Sequence, residues 1–253
     1  MSRLTYYDQQ HMYRLDIGGK KQPVPSVSSL VKTLHQFTND RWTVGEAALG
    51  INAAWDDIAS MVPDLRTDAM TTAGLAQLSQ ARDFGTSVHY YAEQLWGGQP
   101  VEVPEQYAAH VQAIADWFNS TGARVLAAEQ MVWADAGDFG ESPMAGRFDL
   151  IVEHPDLGRV LLDLKSWQAH RAGAPRGPQW AMQLAAYSQM EWMVIDGEDQ
   201  PMGQVDACAV LHVGPGEARL WLLPADDWKR ANDQVDAARV LKALPKPTMK
   251  EQQ

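Results

Sequence analysis

Two short apolar segments joined by a turn constrain the fold of this chain more than any other feature. Residues 146–153 and 159–165 both alternate between apolar and charged side chains, as half-buried strands do. The five residues between them, 154–158, contain Pro and Gly and have an ordinary hairpin length. An antiparallel register that sets Glu153 opposite Arg159 gives a favourable cross-strand ion pair. The pattern therefore predicts a β-hairpin in this register.

The same register brings two acidic residues together. It sets Ile151 opposite Leu161, which is an apolar pair, and Asp149 opposite Asp163. Two adjacent carboxylates repel each other unless a cation lies between them. Because hard oxygen ligands suit Mg²⁺ or Mn²⁺ better than zinc, the register predicts a divalent-cation site.

Lys165 adds a positive charge beside this acidic pair. It lies two residues after Asp163 and on the same face of the strand. An ammonium there can orient or help to deprotonate a water and can offset charge on a phosphate. A surface ion pair is the simpler interpretation, but the strand reads as mostly buried, where unpaired charges are costly.

The rest of the chain predicts a mixed sheet flanked by helices, an α/β (α+β) fold. We expect a single domain, 1–253, with an N-terminal part (1–80), a core (81–223) and a C-terminal helix and tail (224–253). A hairpin is expected at 11–26, and strands at 125–133, 146–153, 159–165, 205–213 and 218–223. Helices are expected at 26–34, 40–80 with a break at Pro63, 86–96, 104–122, 179–194 and 225–241.

Composition excludes several classes of protein. No apolar run approaches the roughly 20 residues that a membrane span needs, and no signal-peptide core follows Met1. The single cysteine, Cys208, excludes an internal disulfide framework and a four-cysteine cluster, so we expect a reducing, cytoplasmic location. Without a Walker-type phosphate loop, we expect no ATP site.

Charge is distributed unevenly along the chain. The net charge of −11 is unusual for a DNA-binding protein, but residues 51–120 hold much of the excess, with two Lys/Arg against nine Asp/Glu. Residues 164–190 contain no acid and include Lys165, Arg171 and Arg176. This stretch is either a chance gap in a loop or a positive surface beside the acidic pair.

Four motifs together resemble a known family. They are Gly85-Thr-Ser-Val-His89, Gly146-Arg-Phe-Asp149, Leu162-Asp-Leu-Lys-Ser166 and Gln183-Leu-Ala-Ala-Tyr187. In this order and spacing, they resemble the signature of RecB-like exonucleases of the PD-(D/E)xK nuclease superfamily. The segment Pro25-Ser-Val-Ser28 also resembles phage-encoded members. The resemblance covers residues 25–190 and implies a restriction-endonuclease-like core.

The resemblance implies a role for each matching residue. Asp149 and Asp163 would bind Mg²⁺ or Mn²⁺ with His89 and the backbone carbonyl of Leu164, and Lys165 would be the catalytic lysine. Gln183 and Tyr187, one helical turn apart, would face the active site and the DNA. We also expect nucleic-acid contacts from three residues: Ser166, Arg171 and Arg176.

Two further acids are candidates for supporting roles. Glu129 lies on the preceding predicted strand, and Glu93 lies one helical turn after His89, where it could orient the imidazole or only face solvent. The chain also departs from the family in two ways. Phe148 precedes Asp149 where the superfamily name has proline, and the iron–sulfur cluster of some relatives is excluded by the single cysteine.

The expected function is a metal-dependent DNA exonuclease in phage DNA recombination or processing. Asp163→Ala or Lys165→Ala should abolish cleavage with little loss of fold. The alternatives are a structure- or sequence-specific endonuclease, and a catalytically silent nucleic-acid-binding or assembly subunit. A module that works only beside a helicase or single-strand annealing protein, or as a homo-oligomer, is also compatible with the sequence. Polarity, strand preference and DNA against RNA stay open.

Overall fold

The structure is a mixed central β-sheet flanked by helices. The computed structural model describes residues 2–34, 40–98, 101–167 and 178–244, and for residues 40–42 only the backbone. Within these ranges the chain forms three sheets and seven α-helices, besides one 3₁₀ turn at Asp8–Gln10. No helix within them combines the length and the hydropathy that crossing a membrane requires.

The N-terminal hairpin predicted at 11–26 is confirmed and has a third strand. The antiparallel sheet comprises β1 (Leu4–Tyr7), β2 (Met12–Ile17) and β3 (Lys20–Val24). Gly18 and Gly19 form the turn with φ values of 61° and 80°, a conformation that side chains other than glycine rarely adopt.

The helices follow the predicted order, but two of them differ in length from the prediction. They are α1 (Val27–Leu34), α2 (Asp40–Ala53), α3 (Trp55–Ser60), α4 (Pro63–Trp96), α5 (Glu105–Thr121), α6 (Pro178–Ser188) and α7 (Ala225–Ala243). The break at Pro63 is confirmed, because Pro63 begins α4. The helix predicted at 86–96 instead starts at Pro63 and runs for 34 residues, since no proline or other strong breaker interrupts it.

Two larger sheets carry the remaining strands. The central sheet has the order β12 (Glu217–Leu222), β11 (Ala207–Gly214), β8 (Gly158–Ser166), β7 (Leu150–His154) and β4 (Arg124–Ala128). Its β8–β11 pair is parallel and its other pairs are antiparallel. The second sheet is antiparallel: β10 (Glu198–Pro201), β9 (Trp192–Ile195), β5 (Met131–Ala134) and β6 (Met144–Arg147).

The register predicted for the 146–165 hairpin is confirmed. Glu153 pairs with Arg159 and Ile151 pairs with Leu161 between β7 and β8. The ladder begins one residue after Asp149, so Asp149 itself lies in the bend that separates β6 from β7.

Two strands that were predicted to be continuous are each broken at an acidic residue. The strand predicted at 125–133 divides at Glu129, which has a φ of 50°, and the strand predicted at 146–153 divides at Phe148–Asp149. The two breaks are joined, because the Glu129 N–H donates to the Asp149 carbonyl at 2.9 Å. The halves then enter different sheets.

The bend at Asp149 also changes which side chains share a face. The alternation along residues 146–153 predicts that Phe148, Leu150 and Val152 share one face, and this is wrong for Phe148. Its ring packs in the apolar cluster of Ile151, while Leu150 and Val152 pack on the opposite side of the sheet. The alternation of a continuous strand does not hold across a bend.

The helix predicted to run to Val194 ends earlier. Helix α6 stops at Ser188, and the following residues form the hairpin of β9 and β10. Asp196 and Gly197 make its turn with φ values of 51° and 77°. Asp-Gly is a typical turn pair in hairpins, so the sequence does contain the signal for this hairpin.

Both faces of the central sheet are buried under helices. Helices α1, α6 and α7 cover the face of Ile151 and Leu161, and α4 and α5 cover the face of Leu162 and Leu164. Because side chains alternate along β8, Asp163 points to the α6 side between these apolar neighbours.

Candidate metal centre

Asp149 lies where the backbone leaves the second sheet and enters the central one. Its Oδ2 accepts a hydrogen bond from the Leu164 N–H at 2.7 Å, and its side chain is only 15% exposed. The bend therefore turns this carboxylate toward β8, where its charge contributes to raising the pKa of Asp163, although the two residues are not paired in the ladder as predicted.

His89 of α4 lies close to Asp149 and to the backbone of β8. Its Nε2 lies 2.8 Å from the Leu164 carbonyl oxygen, and its Nδ1 lies 3.8 Å from Asp149 Oδ2. One turn earlier, a Cβ built at Gly85 would lie 3.6 Å from Ser166 Oγ, which is an ordinary contact. The helix thus runs close along the end of β8 and directs His89 at its backbone.

Asp163 is the most deeply buried carboxylate of the site. Its side chain is 4% exposed, and each of its oxygens has a charged or polar partner. Lys165 Nζ lies 2.6 Å from Oδ2, and Gln183 Nε2 donates to Oδ1 at 2.9 Å. The predicted proximity of Asp163, Lys165 and Gln183 is therefore present in the structure.

The charges of this pair influence each other. Burial raises the pKa of Asp163; Lys165 opposes that effect, while Asp149 adds to it. Burial would lower the pKa of Lys165, but the neighbouring carboxylates of Asp163 and Asp149 outweigh it and raise that pKa. Lys165 is therefore a fixed ammonium at neutral pH, which suits it to stabilising negative charge and not to acting as a base.

Glu129 is the third carboxylate at the bend. Burial, with further contributions from Asp149 and Glu93, raises its pKa to about 7, and only Arg147 opposes the shift. A carboxyl group whose pKa is raised by neighbouring carboxylates is one that a cation would return to its charged form.

His89, Glu129 and Asp149 form the compact donor group of the site. Within the described ranges, these three residues offer ligand atoms that all lie within 4.8 Å of one another. One imidazole and two carboxylates suit a hard divalent cation such as Mg²⁺ or Mn²⁺. Asp163, which the resemblance places among the ligands, is not one of these three residues and contacts Lys165 and Gln183.

Tyr187 supports the bend and does not reach the carboxylates directly. Its hydroxyl accepts a hydrogen bond from the backbone of Arg147, and its ring is buried against Gly146. A Cβ at Gly146 would lie 2.6 Å from Tyr187 Cε1 and 3.0 Å from Val27 Cγ2. The glycine of the Gly-x-x-Asp motif is therefore required by close packing, and Tyr187 acts here as a positioning residue.

The remaining predicted site residues lie in different parts of the structure or outside the described residues. Ser166 is half-buried at the end of β8, beside Gly85 of α4. Arg171 and Arg176 lie outside the described residues. The two ring nitrogens of His89 lie near Leu164 and Asp149. For Glu93, whose two possible roles the sequence left open, the structure shows that its charge contributes to the raised pKa of Glu129.

Arg147 is a cation at the site that sequence reasoning did not select. It is exposed, and its charge opposes the rise in pKa that burial causes at both Glu129 and Tyr13. Its guanidinium also lies 6.0 Å from the ring of Tyr6. The signal in the sequence was its place in the Gly-x-x-Asp motif, two residues before Asp149.

Comparisons with known proteins assign no family. No protein-family model matches the chain, and no curated protein matches it. The crystal structure of SSO0001 aligns with 88% of this chain and 78% of that chain, at 12% sequence identity and a TM-score of 0.37. A score at this level does not establish a shared fold, so the chemistry of the site rests on its own geometry.

Proposed function

We propose that this chain is a Mg²⁺- or Mn²⁺-dependent deoxyribonuclease built on a restriction-endonuclease-like core. One observation carries the proposal: the backbone of Leu164 is a meeting point for His89 of α4, Asp149 of the bend, and the pair Asp163–Lys165 of β8. The four side chains come from three separate parts of the chain, which agrees with the motif order that the resemblance supplied.

Each residue of the site has a separate role in this proposal. His89, Asp149 and Glu129 would hold the cation, with Asp163 adding its charge from the other side of Leu164. A divalent cation bound there supplies Lewis-acid polarisation of a phosphate and of the attacking water. Lys165 holds a positive charge at the place where the phosphate gains negative charge, and Asp163 keeps its ammonium in position.

Gln183 has a positioning role in this scheme. It donates to the Asp163 oxygen that Lys165 does not contact, which fixes the plane of the carboxylate. Such supporting hydrogen bonds are expected to matter for both cation affinity and rate. Arg147, exposed beside the acidic group, is a candidate contact for a flanking phosphate.

The substrate class and the context belong to the same proposal. We favour an exonuclease on linear DNA in phage recombination or processing, in the cytoplasm of the host cell, working alone, as a homo-oligomer, or beside an annealing protein or helicase. The buried lone Cys208 is compatible with a reducing compartment. The net charge of −11 makes DNA binding dependent on local cations and on the bound metal.

The experiment compares matched DNA and RNA substrates with Mg²⁺, Mn²⁺ or EDTA. End-labelled linear duplex, single-stranded DNA, single-stranded RNA and a covalently closed circle are incubated with the wild-type protein. We expect metal-dependent degradation of linear DNA and an intact circle. Cleavage of the circle would support the endonuclease alternative. No cleavage of any substrate, by a folded protein that binds Mn²⁺, would support a silent or partner-dependent module.

A further inference from the structure

A cavity of about 380 Å³ opens beside the site on the α6 face of the central sheet. It lies between α6, the edge strand β12 with its neighbour β11, and the first turns of α7. Its walls include Trp180, Leu184, Val210, Trp221, Leu223 and Arg230. This volume falls in the range of pockets that take small organic groups, of about 300–1,000 Å³.

The register of the central sheet links the cavity to the site. Asp163 pairs with Val210, and Val210 pairs with Trp221, so the three side chains form a row on one face. Two strand spacings separate Asp163 from Trp221, which is about 10 Å. That distance is roughly the rise of three stacked nucleotides in B-form DNA.

Helix α6 gives a second, independent link. Gln183 of this helix bonds to Asp163, while Trp180, one turn earlier, lines the cavity. The Trp180 ring also lies 6.3 Å from the ring of His212, which pairs with Lys165 across the β8–β11 ladder. The cavity and the acidic site are therefore neighbours along both the sheet and the helix.

The lining chemistry suits an uncharged flat group better than a phosphate. Two indoles provide the walls, and burial lowers the pKa of the adjacent His212 to about 4, so its ring is neutral at pH 7. Among the described residues that line the cavity, the one arginine is Arg230, and it is already paired with Asp227. Nucleobases are flat and apolar on their faces and stack on tryptophan in sequence-tolerant binding sites.

We propose that this cavity binds one unstacked nucleobase of the substrate strand, with Trp180 and Trp221 as its aromatic walls, within about three nucleotides of the phosphate at the acidic site. The inference rests on the proposed function, because the phosphate position follows from it. It adds a base-holding subsite to a centre that otherwise contacts only phosphate and metal. Such a subsite would favour a frayed or single-stranded end over an intact duplex.

The test is a binding scan with an abasic position. A short fluorescein-labelled oligothymidylate is prepared with a single abasic position moved stepwise along it, and binding is measured by anisotropy with Ca²⁺, a hard divalent cation that carboxylate ligands also hold. Wild-type protein should lose affinity by about 10-fold at one position only. Trp221→Ala should bind the intact strand about 10-fold more weakly than the wild type does and should show a flat scan. Trp221→Phe should restore the position-specific loss of affinity.

The control is Trp55→Ala, which removes a half-exposed tryptophan of α3 outside the cavity and should leave the scan unchanged. A flat scan in the wild type, an unchanged scan in Trp221→Ala, or no binding of the oligonucleotide would each overturn the subsite. These readouts do not depend on cleavage. If the wild type shows a flat scan but cleaves DNA, only the subsite proposal is wrong. If it shows a position-specific scan but does not cleave, only the nuclease proposal is wrong.

Discussion

The N–H of Leu164 donates to Asp149 Oδ2 at 2.7 Å, and this bond joins the bend between two sheets to the central strand. The carbonyl oxygen of the same Leu164 lies 2.8 Å from His89 Nε2. A single backbone residue thus sets the distance between the carboxylate and the imidazole. Its side chain is fully buried, which fixes that backbone in place.

The ion pair of Asp163 and Lys165 gives a prediction about stability. Because Asp163 is buried, Lys165→Met leaves a carboxylate without its cation, and we expect a loss of about 3 kcal/mol in the free energy of unfolding at pH 7. The sequence alone suggested little loss of fold. Adding Asp163→Asn to Lys165→Met should recover part of the loss in urea denaturation. A single variant as stable as the wild type would show that the pair has no structural role.

Glu129 gives a prediction about pH. Its folded-state pKa of about 7 exceeds the ordinary 4.5, mainly because of burial, so the folded protein retains a proton that the unfolded chain has lost. The stability that this proton contributes is fully present below pH 4.5 and is lost as the pH rises through 7. Glu129→Gln should therefore flatten the fall in stability of the metal-free protein across that window.

The control for the pH series is Glu102→Gln, which changes an exposed glutamate. Urea denaturation at several pH values in EDTA gives the comparison. The account of Glu129 is wrong if Glu129→Gln and the wild type follow parallel curves between pH 4.5 and 7.

Gly146 and Gly85 offer a matched pair of glycine substitutions. In Gly146→Ala the new Cβ would lie 2.6 Å from Tyr187 Cε1, so we expect a loss of about 1–3 kcal/mol from overpacking. In Gly85→Ala the nearest atom is 3.6 Å away, within helix α4, so we expect a gain of about 0.5–1 kcal/mol. Thermal and urea unfolding measure both, and equal effects would contradict the packing that places Tyr187 on β6.

Gln183 gives a prediction about metal affinity. Gln183→Leu keeps the volume of the side chain but removes the hydrogen bond to Asp163, whose carboxylate then loses its fixed orientation. We expect Mn²⁺ to bind about 10–100-fold more weakly, measured by calorimetry or electron paramagnetic resonance. Gln112→Leu is the control, because its bond to Asp116 lies on the exposed surface of α5. Equal Mn²⁺ affinities of wild type and Gln183→Leu would count against a supporting role.

The sequence predicted the hairpin register because that register depends on local pairs. Alternation and loop length predict two pairs, Glu153 with Arg159 and Ile151 with Leu161, and both pairs are present. The turns at Gly18–Gly19 and Gly214–Gly216 could be predicted for the same reason, because glycine marks the positions where the backbone reverses.

The breaks at Glu129 and Asp149 were not predictable in this way. A glutamate at a φ of 50° is rare, and no residue nearby marks the bend. The backbone bond from Glu129 to Asp149 forms only when two distant segments pair, so the exchange of Asp163 for Glu129 in the donor group depends on tertiary structure. The cavity beside α6 is built from four separate elements and has no local sequence pattern.

The most direct test of the central claim uses Lys165→Met and Lys229→Met side by side. Lys229 is also paired with an aspartate, but it lies exposed on α7. Under conditions where both variants are folded and bind Mn²⁺, degradation of end-labelled linear DNA is followed in a single turnover. The account predicts that Lys165→Met loses at least about 100-fold in rate while Lys229→Met keeps the wild-type rate. Degradation by Lys165→Met at the wild-type rate would contradict the assignment of this site as a nuclease centre.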